Sequence, residues 1–327
     1  MDFWLKDAPW IDQEGEDIER LIESSLDPSL SHLREKLRFW HKNGYVVFEQ
    51  VVQHSLIDDF LDEIEHLRQN ISAYVIPIEL SGRQTWSTTL RAEEIRAPGV
   101  KFNHLHISSF HAGRLSLAAP VQEFLRAIFR APPVALQSLT FWKGSQQPTH
   151  IDYPYVRMQR RLPYLAASWI PLEDVHPDAG PLEYFPGAHR TGVTGFFDWG
   201  GGEITPQPEK ATKNGTQFAS YLDEKLESAS IQPVVFCPKK GDILVWHANM
   251  PHRGTRIRND ELTRKSYVTH YTGFDDYPAR WLLPDDQLKS RSIAENGGFV
   301  FDFPWSSPKS KLPSWISNLG APPNKNQ

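Results

Sequence analysis

Residues 164–172, YLAASWIPL, and 241–255, GDILVWHANMPHRGT, decide how this chain is read. Each is a short β-rich run closed by Pro or Gly, too brief for a helix and too apolar for a loop. Working outward, further runs of this kind occupy 135–143 (ALQSLTFWK), 149–152 (THID), 181–187 (PLEYFPG), 232–237 (QPVVFC) and 264–273 (RKSYVTHYTG). Many short strands separated by turn residues predict a jelly roll.

Upstream the pattern turns helical. In SLSHLREKLRFWHKNG (29–44), Leu30, Leu33, Leu37 and Trp40 recur at helical spacing, and Gly44 fits a C-cap. GYVVFEQVV (44–52) reads as a strand. A second helix is expected from Ser55, with Asp58 as capping partner and Leu56, Phe60, Ile64 and Leu67 buried, and a third from Pro120 to about Arg130. The expected organisation is one domain over 1–327: helices over 1–45, a β-helix core with supporting helices over 46–273, and an irregular extension over 274–327. Within the core, 190–231 is a Gly-, Lys- and Glu-rich insert of the kind that forms lids.

Composition narrows the function. With 35 basic against 40 acidic residues the net charge is −5, so no basic field invites nucleic acid. The longest charge-free runs, such as 131–142 and 162–172, reach about a dozen residues and are too short to cross a bilayer. Cys237 is the only cysteine, which excludes an internal disulfide, and the opening MDFWLKDAPWIDQEGEDIER lacks the basic, then apolar, start of a secretion signal. A cytoplasmic protein acting on a small molecule is the expectation.

His150-Ile151-Asp152 carries the chemistry. On a strand, residues two apart face the same side, so an imidazole and a carboxylate converge on one cation. One more histidine would complete a two-histidine, one-carboxylate face with open positions, which suits iron(II); zinc favours a closed tetrahedron. Both His247 and His252 are available for it. His176-Pro177-Asp178 has the same spacing, but its proline and the following Ala-Gly-Pro mark a turn. Arg264, opening a strand with Ser266 and His270 on its face, offers a guanidinium for the far carboxylate of 2-oxoglutarate.

The order HID, ASWIPLEDVHPDAGPLEYFPGAHR (167–190), GDILVWHANMPHRGT and RKSYVTHYTG resembles the phytanoyl-CoA dioxygenase family, as does the entry GYVVFEQVVQHSLIDDFLDEIE (44–65). The resemblance covers roughly residues 40–275, with Ala188 where serine is common. It implies a double-stranded β-helix oxygenase using Fe(II), 2-oxoglutarate and O2, and hydroxylating an unactivated C–H bond with release of succinate and CO2. By position it implies that His150, Asp152 and His252 bind iron and that Arg264 clamps 2-oxoglutarate. Trp169, Leu139, Gly254 and Lys101 match positions that touch the cosubstrate. Halogenating relatives lack the carboxylate, so Asp152 points to hydroxylation or a related oxidation such as desaturation, ring formation or epimerisation.

Two other readings use the same ligands: a metal-binding jelly-roll sensor without oxygenase activity, and a cupin-type zinc or manganese isomerase or hydrolase. His104, His106 and His111 form a second histidine cluster, read as hydrogen-bonded imidazoles before a metal site. Arg157, Arg160 and Arg161 are available to an anionic substrate or to solvent, and the aromatic-rich stretches 191–202 and 274–283 to a substrate pocket.

Overall fold

The computed structural model describes residues 7–13, 17–71, 74, 76–80, 83–87, 94, 97–157, 159–278 and 292–301. In chain order the helices are α1 (Ile18–Ser25), α2 (Arg34–Asn43), α3 (His54–Gln69), α4 (Phe110–Ser116), α5 (Ala119–Phe129), the single turn α6 (Thr191–Thr194) and α7 (Gly215–Ser228). The strands are β1 (Tyr45–Phe48), β2 (Pro77–Leu80), β3 (Arg83–Trp86), β4 (Val100–Asn103), β5 (Pro133–Phe141), β6 (Ala166–Pro171), β7 (Leu182–Tyr184), β8 (Val234–Phe236), β9 (Ile243–His247), β10 (His252–Gly254), β11 (Ser266–Gly273), β12 (Ser292–Glu295) and β13 (Gly298–Phe301).

Ten strands form one sheet along the path β1-β9-β6-β11-β5-β4-β2-β3, with the β12–β13 hairpin joining at β5; the other sheet is β10-β7-β8. The central strands β6, β9 and β11 are buried at every position. Such strands lose the usual alternation because both faces are covered. One face meets the helices: Phe60 of α3 packs edge-on to Tyr267 at 5.2 Å, and the Tyr267 and Tyr271 hydroxyls donate to the carbonyls of Ala112 and Ser116. The other face meets the small sheet, where Trp169, Leu244 and Val268 cluster with Leu182, Tyr184 and Phe236. This is the two-sheet arrangement of a double-stranded β-helix, with the space between the sheets open to chemistry.

The helices follow the expected periodicity, with local differences. Leu30 and Leu33 lie on a 3-10 turn (Pro28–Leu33) that feeds α2, and Gly44 ends α2 at φ 78°. The second helix starts one residue early, with Gln53 at the N-cap position and no side-chain capping bond; Ile57 takes the fully buried place assigned to Leu56, and Asp58 pairs with Lys240 instead of the helix start. THID is not a strand. Only His150 makes a bridge, to His252, and the chain then bends. Arg264 stands two residues ahead of β11.

The extension after 274 is more regular than expected. Residues 292–301 form a hairpin through Asn296 (φ 54°) and Gly297 (φ 81°), and β13 runs parallel to β5. Asn-Gly suits a two-residue turn because both residues tolerate positive φ. The rest of that extension, residues 279–291 and 302–327, lies outside the described residues.

Gly44 combines a left-handed backbone with close approach: a Cβ there would sit 2.6 Å from the His189 ring. Gly44→Ala is therefore expected to destabilise the fold by about 1–3 kcal/mol. The midpoint of urea unfolding checks this, and an unshifted midpoint contradicts it.

Candidate metal centre

Between the sheets, β5, β6, β9 and β11 present Leu139, Phe141, Trp169, Trp246, Val268 and His270 to a cavity of about 60 Å³. Into it project His150 and Asp152 from the bent segment after β5 and His252 from β10. One ligand atom from each lies within 4.8 Å of the others, and no other such group exists among the described residues. The two imidazoles are 4.1 Å apart between ring centroids, and His252 Nε2 is 3.7 Å from Asp152 Oδ1.

The histidines are oriented alike. His150 Nδ1 is 2.9 Å from the Pro148 carbonyl, and His252 Nδ1 is 3.0 Å from the Met250 carbonyl. A carbonyl only accepts, so each Nδ1 carries the proton and each Nε2 keeps its lone pair for the centre. Burial, with the nearby charge of His252, pushes His150 down to about 3 against the pull of Asp152. For Asp152 burial acts upward, but His252, His270 and His150 outweigh it and hold the carboxyl well below the usual range. A neutral His150 and an ionised Asp152 are the states in which these two groups can bind a divalent cation.

Asp152 has its own support. Trp246 Nε1 donates to Oδ2 at 2.7 Å, and His270 Nε2 lies 3.5 Å from the same oxygen. Oδ1 is the oxygen left beside His252. The sequence reading gave Trp246 no role and His270 only a shared face with Arg264. The strand register brings them together: Ala167 faces both Trp246 and His270 across neighbouring strands.

Arg264 enters the cavity from the opposite side. It is 2% exposed, donates through Nη1 to the Gly180 carbonyl at 3.0 Å, and has no partner at Nε. The Phe141 and Trp169 rings flank it at 5.7 Å, and no described carboxylate pairs with it. Burial draws its pKa down to about 10. An unpaired buried guanidinium is costly unless an anion joins it.

The other candidates divide. Trp169, Leu139 and Gly254 line the cavity with the triad. Gly254 must be glycine here, because a Cβ would lie 2.6 Å from Ser145 Oγ and 2.8 Å from the Gln146 nitrogen. Lys101 stands behind the lining: its ammonium pairs with Glu79 at 2.7 Å, donates to Gln147 of the lining at 3.1 Å and lies 5.6 Å from the Phe141 ring. His247 is not beside the site. It ends β9 facing away, with Nε2 3.4 Å from Asp12 and its ring beside His189. His176-Pro177-Asp178 is a turn as expected.

The second histidine cluster is hydrogen-bonded: His106 meets Ser138 at 2.9 Å and His111 meets Glu63 at 2.7 Å. Arg157, Arg160 and Arg161 fasten loops, binding the Pro206 carbonyl, the Asp275 carbonyl and the Asp276 carboxylate. Phe197 and Trp199 of the insert are buried in the core.

A jelly roll with two histidines and a carboxylate on one side of a cavity, and open space on the other, defines a mononuclear metal protein of the non-haem type. The chain belongs to the phytanoyl-CoA dioxygenase (PhyH) family, whose profile matches residues 40–266. It is 23% identical over 192 residues to mouse phytanoyl-CoA dioxygenase domain-containing protein 1 and 24% identical over 187 residues to that of Danio rerio, matching 57% and 55% of this chain. The matches span only 61% and 60% of those relatives' lengths. Among solved structures, the α-ketoglutarate-dependent carbocyclase SnoK of nogalamycin biosynthesis superposes with a TM-score of 0.52 at 17% identity, covering 85% of this chain and 98% of SnoK. EctD from S. alaskensis with bound Fe gives 0.52 at 16%, covering 74% and 77%. The epimerase SnoN, in complex with Fe3+, α-ketoglutarate and nogalamycin RO, gives 0.52 at 15%, covering 84% and 99%. At these identities the likeness establishes the fold.

Trp246→Phe keeps a ring in place but removes the N–H donated to Asp152. It is expected to weaken Mn(II) binding by about 10-fold. Titration of the metal-free protein measures this, and an unchanged affinity would show that the indole does not hold the carboxylate.

Proposed function

We propose that the protein is an Fe(II)- and 2-oxoglutarate-dependent dioxygenase that hydroxylates an unactivated C–H bond of a small molecule. The observation that carries this reading is Arg264: a buried guanidinium with no counter-charge among the described residues, sharing one small cavity with a two-histidine, one-carboxylate face. A metal-binding sensor, or a zinc or manganese isomerase or hydrolase, would use the same three ligands but leaves that arginine without a purpose.

The residues fit both groups. His150, Asp152 and His252 would hold the ferrous ion through two Nε2 atoms and one carboxylate oxygen. Arg264 would take the distal carboxylate of 2-oxoglutarate through its planar donors. Trp169, Leu139 and Phe141 would enclose the carbon chain and keep water away from the ion pair, which strengthens it. With both bound, the ion and cosubstrate supply the oxidation: O2 is consumed, 2-oxoglutarate becomes succinate and CO2, and one oxygen atom enters the substrate C–H bond. The chain supplies position, charge balance and dryness. Asp152 occupies the place that a halide would need, which supports hydroxylation over halogenation.

Succinate formation coupled to oxygen uptake tests the reading directly, using anaerobically purified protein given Fe(II) and 2-oxoglutarate. Asp152→Ala is expected to abolish it; turnover at the wild-type rate would remove Asp152 from the centre. Arg264→Leu should raise the 2-oxoglutarate requirement by roughly 30-fold or more, the cost of stripping one partner from a buried charge pair. In that variant Mn(II) affinity should be retained and cosubstrate-free stability unchanged or higher, since an unpaired buried charge is gone. Unchanged cosubstrate affinity would release Arg264 from the role.

A further inference from the structure

Two of the three ligands sit on a segment that belongs to no strand. Residues 149–153 are tied by the reciprocal pairing of His150 with His252 and by the amides of Asp152 and Tyr153, which donate to the Ala248 carbonyl at 3.0 and 3.4 Å. A ladder this short leaves the aim of the ligands to side-chain anchorage. That anchorage comes from α7, the long helix of the 190–231 insert.

Successive residues of the segment divide between two sides. His150 and Asp152 face the cavity. Thr149 donates its hydroxyl to Asp223 Oδ1 on α7 at 2.6 Å. Ile151, 1% exposed, joins the apolar cluster that contains Phe218 and Leu222 of the same helix. In an antiparallel bridge the residue before one partner lies opposite the residue after the other, so Thr149 is the cross-strand neighbour of Arg253. Arg253 also turns to α7: its Nη1 is 3.8 Å from the same Asp223 Oδ1, while its Nε donates to Glu183 at 2.6 Å. One carboxylate oxygen on the insert thus receives the residue before one metal histidine and the residue after the other.

We propose that Asp223 is a positioning residue for the metal centre, and that α7 buttresses the ligand segment from behind and couples the insert to metal loading. The proposal rests on the reading of His150, Asp152 and His252 as a metal site. The two contacts differ in weight. Asp223 is 51% exposed and its pairing with Arg253 is long, so solvent screens it. Thr149 is 2% exposed, and its hydrogen bond to Asp223 at 2.6 Å, sheltered on the donor side, is the stronger link. An acceptor at position 223 matters more than its charge. Because linkage is reciprocal, a metal that fixes the segment also steadies α7.

The test uses Co(II), without cosubstrate or oxygen, and reads affinity, the cobalt ligand-field spectrum, and backbone hydrogen exchange over residues 214–228. In the wild type, Co(II) should slow exchange in α7. Asp223→Ala should weaken Co(II) binding by about 10-fold and shift the spectrum. Asp223→Asn, which keeps the acceptor for Thr149, should stay near wild type. Wild-type affinity and spectrum in Asp223→Ala would overturn the proposal, as would α7 exchange in the wild type that ignores Co(II), a measurement that needs no variant. Wild-type protein that takes up no Co(II) would overturn the metal-site reading and this proposal with it. Wild-type uptake with an indifferent Asp223→Ala would remove the proposal alone.

Discussion

The centre depends on one reciprocal contact: the amide of His150 donates to the carbonyl of His252 at 3.0 Å, and the amide of His252 returns the bond at 2.9 Å. These two hydrogen bonds join a bent connecting segment to the small sheet and set the imidazoles side by side. Without them, His252 would remain on its strand, but His150 and Asp152 would hang on a loop. Two hydrogen bonds contribute only about 1–3 kcal/mol together, which is little for holding a constellation to a fraction of an ångström. The carbonyls of Pro148 and Met250, the indole of Trp246 and the ring of His270 therefore matter as much as the ligands.

The cavity is organised around opposite charges kept apart. On one wall a carboxylate sits among histidines; on the other a guanidinium stands between aromatic rings with one backbone carbonyl for company. Among the described residues no carboxylate pairs with the guanidinium, while the carboxylate meets histidine rings and an indole N–H. A cation fits the first and an anion the second, and a molecule able to touch both would relieve two desolvation costs at once. The fold tolerates this because the surrounding strands are buried on both faces and rigidly paired.

Much of the β-core was legible because its runs are short, apolar and closed by Pro or Gly. The candidate ligands His150 and Asp152 were legible from the His-x-Asp spacing, while the choice of His252 over His247 came from the family resemblance. What escaped had weaker local signals. β2, β3 and β4 are four residues each and lie toward the sheet edge, where alternation is faint. The helix α7 was hidden by the Gly- and Lys-rich text around it, although Asn214 and Gln217 form a capping box that three-residue spacing announces. Asn296-Gly297 likewise signals a hairpin in a tail read as irregular. The pairing of Lys101 with Glu79 left no local signal because the two lie 22 residues apart. Trp246 could not be recognised at all: a tryptophan in an apolar strand looks like core until its N–H is seen to end on Asp152.

Gly254 has a wider meaning. The loop at 145–147 rests directly against it, so along this edge of the cavity two stretches of chain pack with no side chain of residue 254 between them. A side chain of any size, serine included, has nowhere to go unless that loop retreats. The cavity's dimensions along this edge are thus set by an atom that is missing, and any evolutionary retuning of what the pocket accepts has to begin with the loop rather than with the residue.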